Sequence, residues 1–309
     1  MKSFRGKIFE VGLRDGLQSE ARHFSLDEKE KILKSLIESG LEDIEVGSFV
    51  RADKIPQLKD SAEVLKRAKE IRAQIKSKTK FWVFVPNLKG FELASEAGPD
   101  GMSFFYSTSE SFCKKNVNRG QIELLLELKT LLAMAKKAKI KSRVYLSTLV
   151  YCPYEGKIPE KKVFKAVKEL FDIGAQEVAL SDTTGHATPL QVRALLKVLL
   201  KKHSASKIAL HLHDTRGLAL ANVWEAMQFG ISRFDSSVAG LGGCPYAPGA
   251  AGNLSTEDLW NFLTETTKEK APYIENIVEA ALFTEKCLGR KSTSKVLRSL
   301  ESKYVSNIT

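Results

Sequence analysis

Short apolar, β-branched stretches alternate along the chain with longer stretches in which apolar residues recur at helical spacing. The pattern predicts strands over Ile8–Leu13, Asp43–Ser48, Lys80–Val85, Gly101–Phe105, Ser142–Leu149, Glu177–Ser181, Lys207–His213 and Arg233–Ser237. Between them it predicts helices that include Leu26–Ser39, Ser61–Arg72, Gly120–Ala138, Glu160–Phe171, Pro189–Lys202 and Leu218–Phe229. The helix ends carry chemical punctuation. Ser25 with Glu28 three residues on forms a capping-box pattern, and Thr188-Pro189 reads as an N-cap followed by a first-turn proline. Gly40, Gly174 and Gly230 sit where a helix must stop before the next strand. Eight strands alternating with helices is the arithmetic of an α/β chain folded as a (β/α)8 TIM barrel. An open doubly wound sheet alternates in the same way, but no GxGxxG follows the first strand, which weakens its dinucleotide-binding form. No composition break marks a second domain. The expectation is one barrel domain over residues 1–309, with about 254–309 as a C-terminal helical extension packed outside or beneath the barrel mouth.

Composition narrows the class. Of the 309 residues, 43% are hydrophobic and 28% charged, an ordinary balance for a folded core. No run approaches the roughly 18 apolar residues of a membrane helix. The start, MKSFRGKIFEVGLRD, is interrupted by Glu10 and Arg14 where a signal peptide needs an apolar stretch. Cys113, Cys152, Cys244 and Cys287 lie far apart with no CxxC pair, which favours free thiols in a reducing compartment and a cytoplasmic location. The net charge of +11 is compatible with nucleic acid, an anionic cofactor or a lysine-rich surface. The lysines at 136, 137, 139 and 141, at 161, 162, 165 and 168, and at 201 and 202 fall between apolar positions on predicted helices or their ends. They read as solvated helix faces, and no interleaved aromatic and basic pattern accompanies them, so nucleic acid is not an expected partner.

In a barrel of this kind the chemistry sits at the C-terminal ends of the strands, and polar residues gather there. The first strand ends in Arg14-Asp15-Gly16, and the second holds Glu45 among apolar neighbours. Another runs into Asp182-Thr183, and a later one ends in His211-Leu212-His213-Asp214. After the last comes a loop, 239–253, with five glycines (Gly240, Gly242, Gly243, Gly249, Gly252), two prolines (Pro245, Pro248) and Cys244. His211 and His213 are two apart on a strand, so both rings face one side. With a carboxylate from Asp15 and an amide oxygen from Asn253, they form a two-nitrogen, two-oxygen set that suits a six-coordinate Mg²⁺, Mn²⁺ or Co²⁺; two hydrogen-bonded histidines in a barrel core would leave the same pattern. Arg14 offers a fixed positive charge over a developing oxyanion, or else an ion pair with Glu45 or Asp182. Glu45 and Asp182 are carboxylates in apolar surroundings, costly unless paired, which suggests a supporting or acid/base role. The glycine loop reads as a lid, and a cysteine on a lid can move a proton or sit passively. His186 reads as a loop-surface residue, and His23 and His203 as surface residues.

Glu10-Val-Gly-Leu-Arg-Asp-Gly-Leu-Gln18, His211-Leu-His-Asp-Thr215 and Ser237 through Asn253 resemble the 3-hydroxy-3-methylglutaryl-CoA lyase family. Pro86–Phe91, Cys152–Lys157, Arg290-Lys291 and Ser294–Val296 support this, so the resemblance covers nearly the whole chain. The Arg-Asp-Gly and HxH motifs are shared with a wider group of barrel lyases and acyl-CoA condensing enzymes; the cysteine-bearing glycine loop is the more specific signal. The resemblance implies a barrel lyase that needs a divalent cation, Mg²⁺ or Mn²⁺, held by Asp15, His211, His213 and Asn253, and it suggests a homodimer. It implies cleavage of an acyl-CoA substrate to acetyl-CoA and acetoacetate. Arg14 would steady the enolate, Glu45 would support the cation and the acid/base network, His211 would take the hydroxyl proton, and Cys244 would deliver a proton to carbon. Lys114 and Lys115 would meet the CoA phosphates. A condensing enzyme on the same barrel, or a lyase for a related 3-hydroxyacyl-CoA, is the alternative. A Schiff-base aldolase is disfavoured because Asp182, not lysine, ends its strand. Leu13 replaces a proline common in the family, Arg216 and Leu218 stand where tyrosine and glutamine are expected, and Thr184-Gly185-His186 replaces Ile-Gly-Val.

Overall fold

The computed structural model describes residues 6–242, 252–267 and 272–304. Among the described residues ten strands occur in chain order: β1 Lys7–Glu10, β2 Asp43–Ser48, β3 Lys80–Phe84, β4 Gly101–Ser107, β5 Lys141–Ser147, β6 Tyr151–Cys152, β7 Gly156–Lys157, β8 Glu177–Asp182, β9 Ile208–Leu212 and β10 Arg233–Ser236. Eight of them close a barrel in the order β1-β10-β9-β8-β5-β4-β3-β2, with every described pairing parallel. The other two, β6 and β7, form an antiparallel hairpin above β5. The helices are α1 Leu26–Glu38, α2 Ser61–Gln74, α3 Leu88–Ala97, α4 Glu110–Val117, α5 Gln121–Lys137, α6 Glu160–Asp172, α7 Pro189–Leu199, α8 Ala219–Gln228, α9 Thr256–Thr267, α10 Ile274–Leu288 and α11 Lys295–Tyr304. No helix among the described residues is long and apolar enough to cross a membrane.

The predicted strands and helices are all present, with boundary shifts. The capping boxes form at Ser25/Glu28 and at Thr188/Gln191. Gly40 and Gly174 take φ of 90° and 103°, a left-handed turn that lets the chain leave a helix without a Cβ clash. The first predicted strand is shorter than its apolar run suggests. It stops at Glu10, and Gly12–Gly16 coil into one π-helical turn, which puts Arg14 and Asp15 over the mouth. Helices α3 and α4 and the hairpin, absent from the sequence prediction, fill connections above β3, β4 and β5. Within the segment expected to be a helical extension, α9 packs against β1 while α10 packs along α1.

The barrel divides its side chains by the strand period of two. Outward residues such as Ile44, Val46, Val144, Leu146, Val178 and Leu180 join the helices in one large core. The inward face is unusually polar. Trp82 Nε1 donates to Asp43 at 2.7 Å. The guanidinium of Arg143 lies 3.9 Å over the Phe9 ring, and Arg143, Glu177 and Asp235 are buried together inside. Buried charges of this kind persist only when paired.

Candidate active site

At the mouth, the π-helical turn after β1 presents Arg14 and Asp15, β2 presents Glu45, and β9 with its extension presents His211 and His213. Arg14 Nε donates to Glu45 Oε2 at 2.5 Å, and its Nη1 donates to Asp15 Oδ1. The guanidinium also lies 4.9 Å from the centre of the Tyr145 ring and 5.1 Å from that of Phe84. Burial by itself would favour loss of this charge, but Glu45 and Asp15 outweigh it and hold Arg14 above its ordinary pKa. Of the two partners the sequence left open for Arg14, the structure selects Glu45. Tyr145 Oη donates to the same Glu45 oxygen at 3.0 Å, while Glu45 Oε1 is buried without a hydrogen-bond partner among the described residues.

Asp15, His211 and His213 bring one ligand atom each to within 4.8 Å of one another. Burial pushes the Asp15 carboxyl up, but Arg14 and the two histidines outweigh it and hold the group well below the usual carboxylate range. His213 is buried, and that burial, with His211 beside it, depresses its pKa to about 4, so its ring is neutral near neutral pH. Among the described residues its Nδ1 is buried with no hydrogen-bond partner. Residue 253 pairs with His213 as an isolated bridge, and Asn253 Nδ2 donates to Asp15 Oδ2 at 2.9 Å and to the Leu241 carbonyl at 3.1 Å. With its nitrogen committed, Asn253 has its amide oxygen left to offer. An ionised carboxylate, a neutral imidazole with an orphaned nitrogen and an amide oxygen fit a divalent cation better than they fit one another.

Arg14, Asp15, His211 and His213 line a cavity of about 630 Å³, together with Gln18, Tyr145, Ser181 and Thr183. Arg51, Lys54, Lys115 and Arg119 add positive charge to the lining. Lys114 is not part of it; it is exposed and pairs with Glu110 at 3.2 Å. Asp182 ends β8 as expected, but its carboxylate turns into its own loop and accepts from the backbone N–H of His186 at 3.0 Å and of Ala187 at 2.8 Å. Burial raises its pKa to about 6. Cys244 lies outside the described residues. His186 stacks on Tyr151 with ring centres 4.2 Å apart and accepts from Arg216 at 2.7 Å, joining three loops beside the cavity.

Comparison with known proteins is consistent with this geometry. A family model described as HMGL-like matches residues 5–281. A mitochondrial hydroxymethylglutaryl-CoA lyase from Macaca fascicularis is 43% identical over 95% of this chain and 89% of its own. The crystal structure of the HMG-CoA lyase of Bacillus subtilis superposes with a TM-score of 0.92 at 39% identity, covering 96% of this chain and 98% of that one. An HMG-CoA lyase from Acinetobacter baumannii, solved with coenzyme A and 3-methylmalate, gives a TM-score of 0.87 at 32% identity over 97% and 96% of the two chains.

The chain belongs to the HMGL-like family.

Three residues at this candidate site escaped the sequence reading. Glu10 is wholly buried and accepts from the backbone N–H of Gly12 at 2.7 Å and of Val238 at 2.9 Å, and from the Thr256 hydroxyl at 2.5 Å. It ties the Arg14–Asp15 turn to the root of the glycine loop. It stands in an apolar strand just as Glu45 does, so the cost of an unpaired carboxylate would have flagged it. Asp235 and Tyr145 also face inward beside His211. Their signal was only alternation within short strands, and their partners lie far away in sequence.

Proposed function

We propose that this protein cleaves 3-hydroxy-3-methylglutaryl-CoA to acetyl-CoA and acetoacetate with the help of a divalent cation, Mg²⁺ or Mn²⁺. The observation that carries the reading is the cluster of Asp15, His211 and His213 beside the buried, doubly paired Arg14 at the floor of one cavity. Asp15, His211, His213 and Asn253 would hold the cation, which when bound acidifies the substrate's tertiary hydroxyl. His211 faces Asp15 with Nε2 at 3.8 Å, and this nitrogen either binds the cation or takes the hydroxyl proton. Arg14 sets a fixed charge against the enolate oxygen that develops as the carbon–carbon bond breaks. It needs no reorganisation because Glu45 already holds it. Cys244 would return a proton to the enolate carbon, and the glycine loop would exclude water. Asp182 would act by shaping the β8 loop. Arg51, Lys54, Lys115 and Arg119 would receive the phosphates of the CoA thioester, with Lys114 outside the lining and paired with Glu110. A single barrel domain over residues 1–309, a homodimeric assembly, a cytoplasmic location and a place in leucine breakdown complete the proposal.

The decisive experiment strips the protein with EDTA and measures acetoacetate from 3-hydroxy-3-methylglutaryl-CoA with and without added Mg²⁺ or Mn²⁺. Cation-dependent acetoacetate supports the reading. No product from protein that still binds Mn²⁺ would keep the cation site and refute this substrate.

A further inference from the structure

We propose that Asp235 is a positioning residue that fixes His211 with its proton on Nδ1, so that Nε2 turns its lone pair to the cavity. The inference rests on the reading of His211 given above and extends it one residue deeper into the barrel. Backbone register makes the contact: Asp235 on β10 pairs directly with His211 on β9, so both side chains point inward at the same level. His211 Nδ1 lies 3.2 Å from Asp235 Oδ2. The Tyr145 ring meets the imidazole edge-on at 5.4 Å, which limits its rotation.

Asp235 is itself held. Arg143, with no exposed side-chain surface, donates from Nη2 to Asp235 Oδ1 at 2.9 Å. Its guanidinium is pinned over Phe9 at 3.9 Å and faces Tyr145 at 5.0 Å. Pairing with a guanidinium that is always charged favours the carboxylate form of Asp235. A carboxylate accepts only, and both of its oxygens are engaged. With a single ring proton, the imidazole beside it donates from Nδ1, which leaves Nε2 as the one nitrogen able to ligate or to act as a base. A carboxylate behind a ligating histidine orients the ring and raises its basicity.

The isosteric variant Asp235→Asn makes a sharp test. Arginine can only donate, so the amide oxygen goes to Arg143 and the amide NH₂ faces Nδ1. The ring proton is then driven to Nε2, towards Asp15. Nitrogen-15 spectra of the metal-free protein at mildly alkaline pH report the tautomer, and the five histidines of the chain permit assignment by comparison with His211→Gln. The wild type is expected to show His211 protonated on Nδ1, and Asp235→Asn to show it on Nε2 with the thermal transition of a folded protein. Mn²⁺ affinity is expected to fall about 10- to 100-fold. A wild-type His211 protonated on Nε2 would overturn the proposal without any variant, and so would an unchanged tautomer in a folded Asp235→Asn protein. The tautomer is read without metal or substrate, so it decides the role of Asp235 whatever the acetoacetate assay returns.

Discussion

At the residue scale, the site depends on groups that are costly to bury and therefore held by one another. Arg14 is the clearest case. Its Nε and Nη1 are spent on Glu45 and Asp15, a fork that a lysine cannot reproduce. Arg14→Lys is expected to lower kcat by roughly 10²- to 10³-fold, the usual loss for one oxyanion donor, with little change in Mn²⁺ binding; steady-state kinetics beside a Mn²⁺ titration checks both. His213→Ala should weaken Mn²⁺ binding, because a neutral buried imidazole with an orphaned nitrogen has little other purpose; unchanged affinity would remove it from the ligand set. His211→Ala separates the two uses of Nε2, since a ligand loses cation affinity whereas a base loses turnover alone. Cys244→Ser is expected to fold normally and turn over slowly, and wild-type turnover would take the thiol out of the reaction. The residues gathered at the mouth were largely legible from sequence, because Arg14, Asp15, His211 and His213 occur where apolar strands end, Glu45 stands among apolar neighbours and Asn253 closes the glycine loop. Asp235 and Arg143 were not, because what marks them is each other, 92 positions apart.

At the element scale, two buried carboxylates set the root of the glycine loop. Glu10 accepts from Val238 N–H, and Glu257, on the first turn of α9, accepts from Ala239 N–H at 2.8 Å. Ala239 holds a left-handed φ of 57°, a conformation disfavoured for a residue with a Cβ. Burial raises the Glu10 carboxyl from 4.5 to about 7 and that of Glu257 from 4.5 to about 8. Between the ordinary and raised values the native state keeps protons that the unfolded chain has lost. This contribution is complete at low pH and declines as pH rises through that window, levelling off above about pH 8. Glu10→Gln and Glu257→Gln hold the neutral form permanently, so their stability relative to wild type should rise with pH across the window. Thermal unfolding at several pH values measures this, and parallel curves would show that neither group titrates there. The same scale explains the overrun of the first strand. The apolar run Val11–Leu13 is buried as a strand would be, and only the π-helical turn reveals that it bends.

At the scale of the whole molecule, barrel closure gathers residues from positions 14 to 213 around one cavity. The excess positive charge divides in two. Lys136, Lys137, Lys161, Lys162, Lys165, Lys168, Lys201 and Lys202 are exposed on helix faces or ends, as their spacing suggested, while Arg51, Lys54, Lys115 and Arg119 border the cavity. Only the second group should matter to a substrate carrying phosphates. Lys115→Ala is expected to raise KM for the CoA thioester several-fold without changing kcat, and KM should climb with salt as the lining is screened; Lys114→Ala, already paired with Glu110 on the surface, should do neither. Equal effects of the two substitutions would deny the lining its role. The sequence by itself determined the alternation of strands and helices, the helix caps and the polar strand ends, because periodicity, capping and the cost of burying charge all act over a few neighbouring residues. Only the tertiary structure decided that Arg14 pairs with Glu45 rather than Asp182, that Asp182 serves its own loop, and that Asp235 stands behind His211. Those pairings depend on strand register and on closure of the sheet, which bring together groups that no local pattern connects.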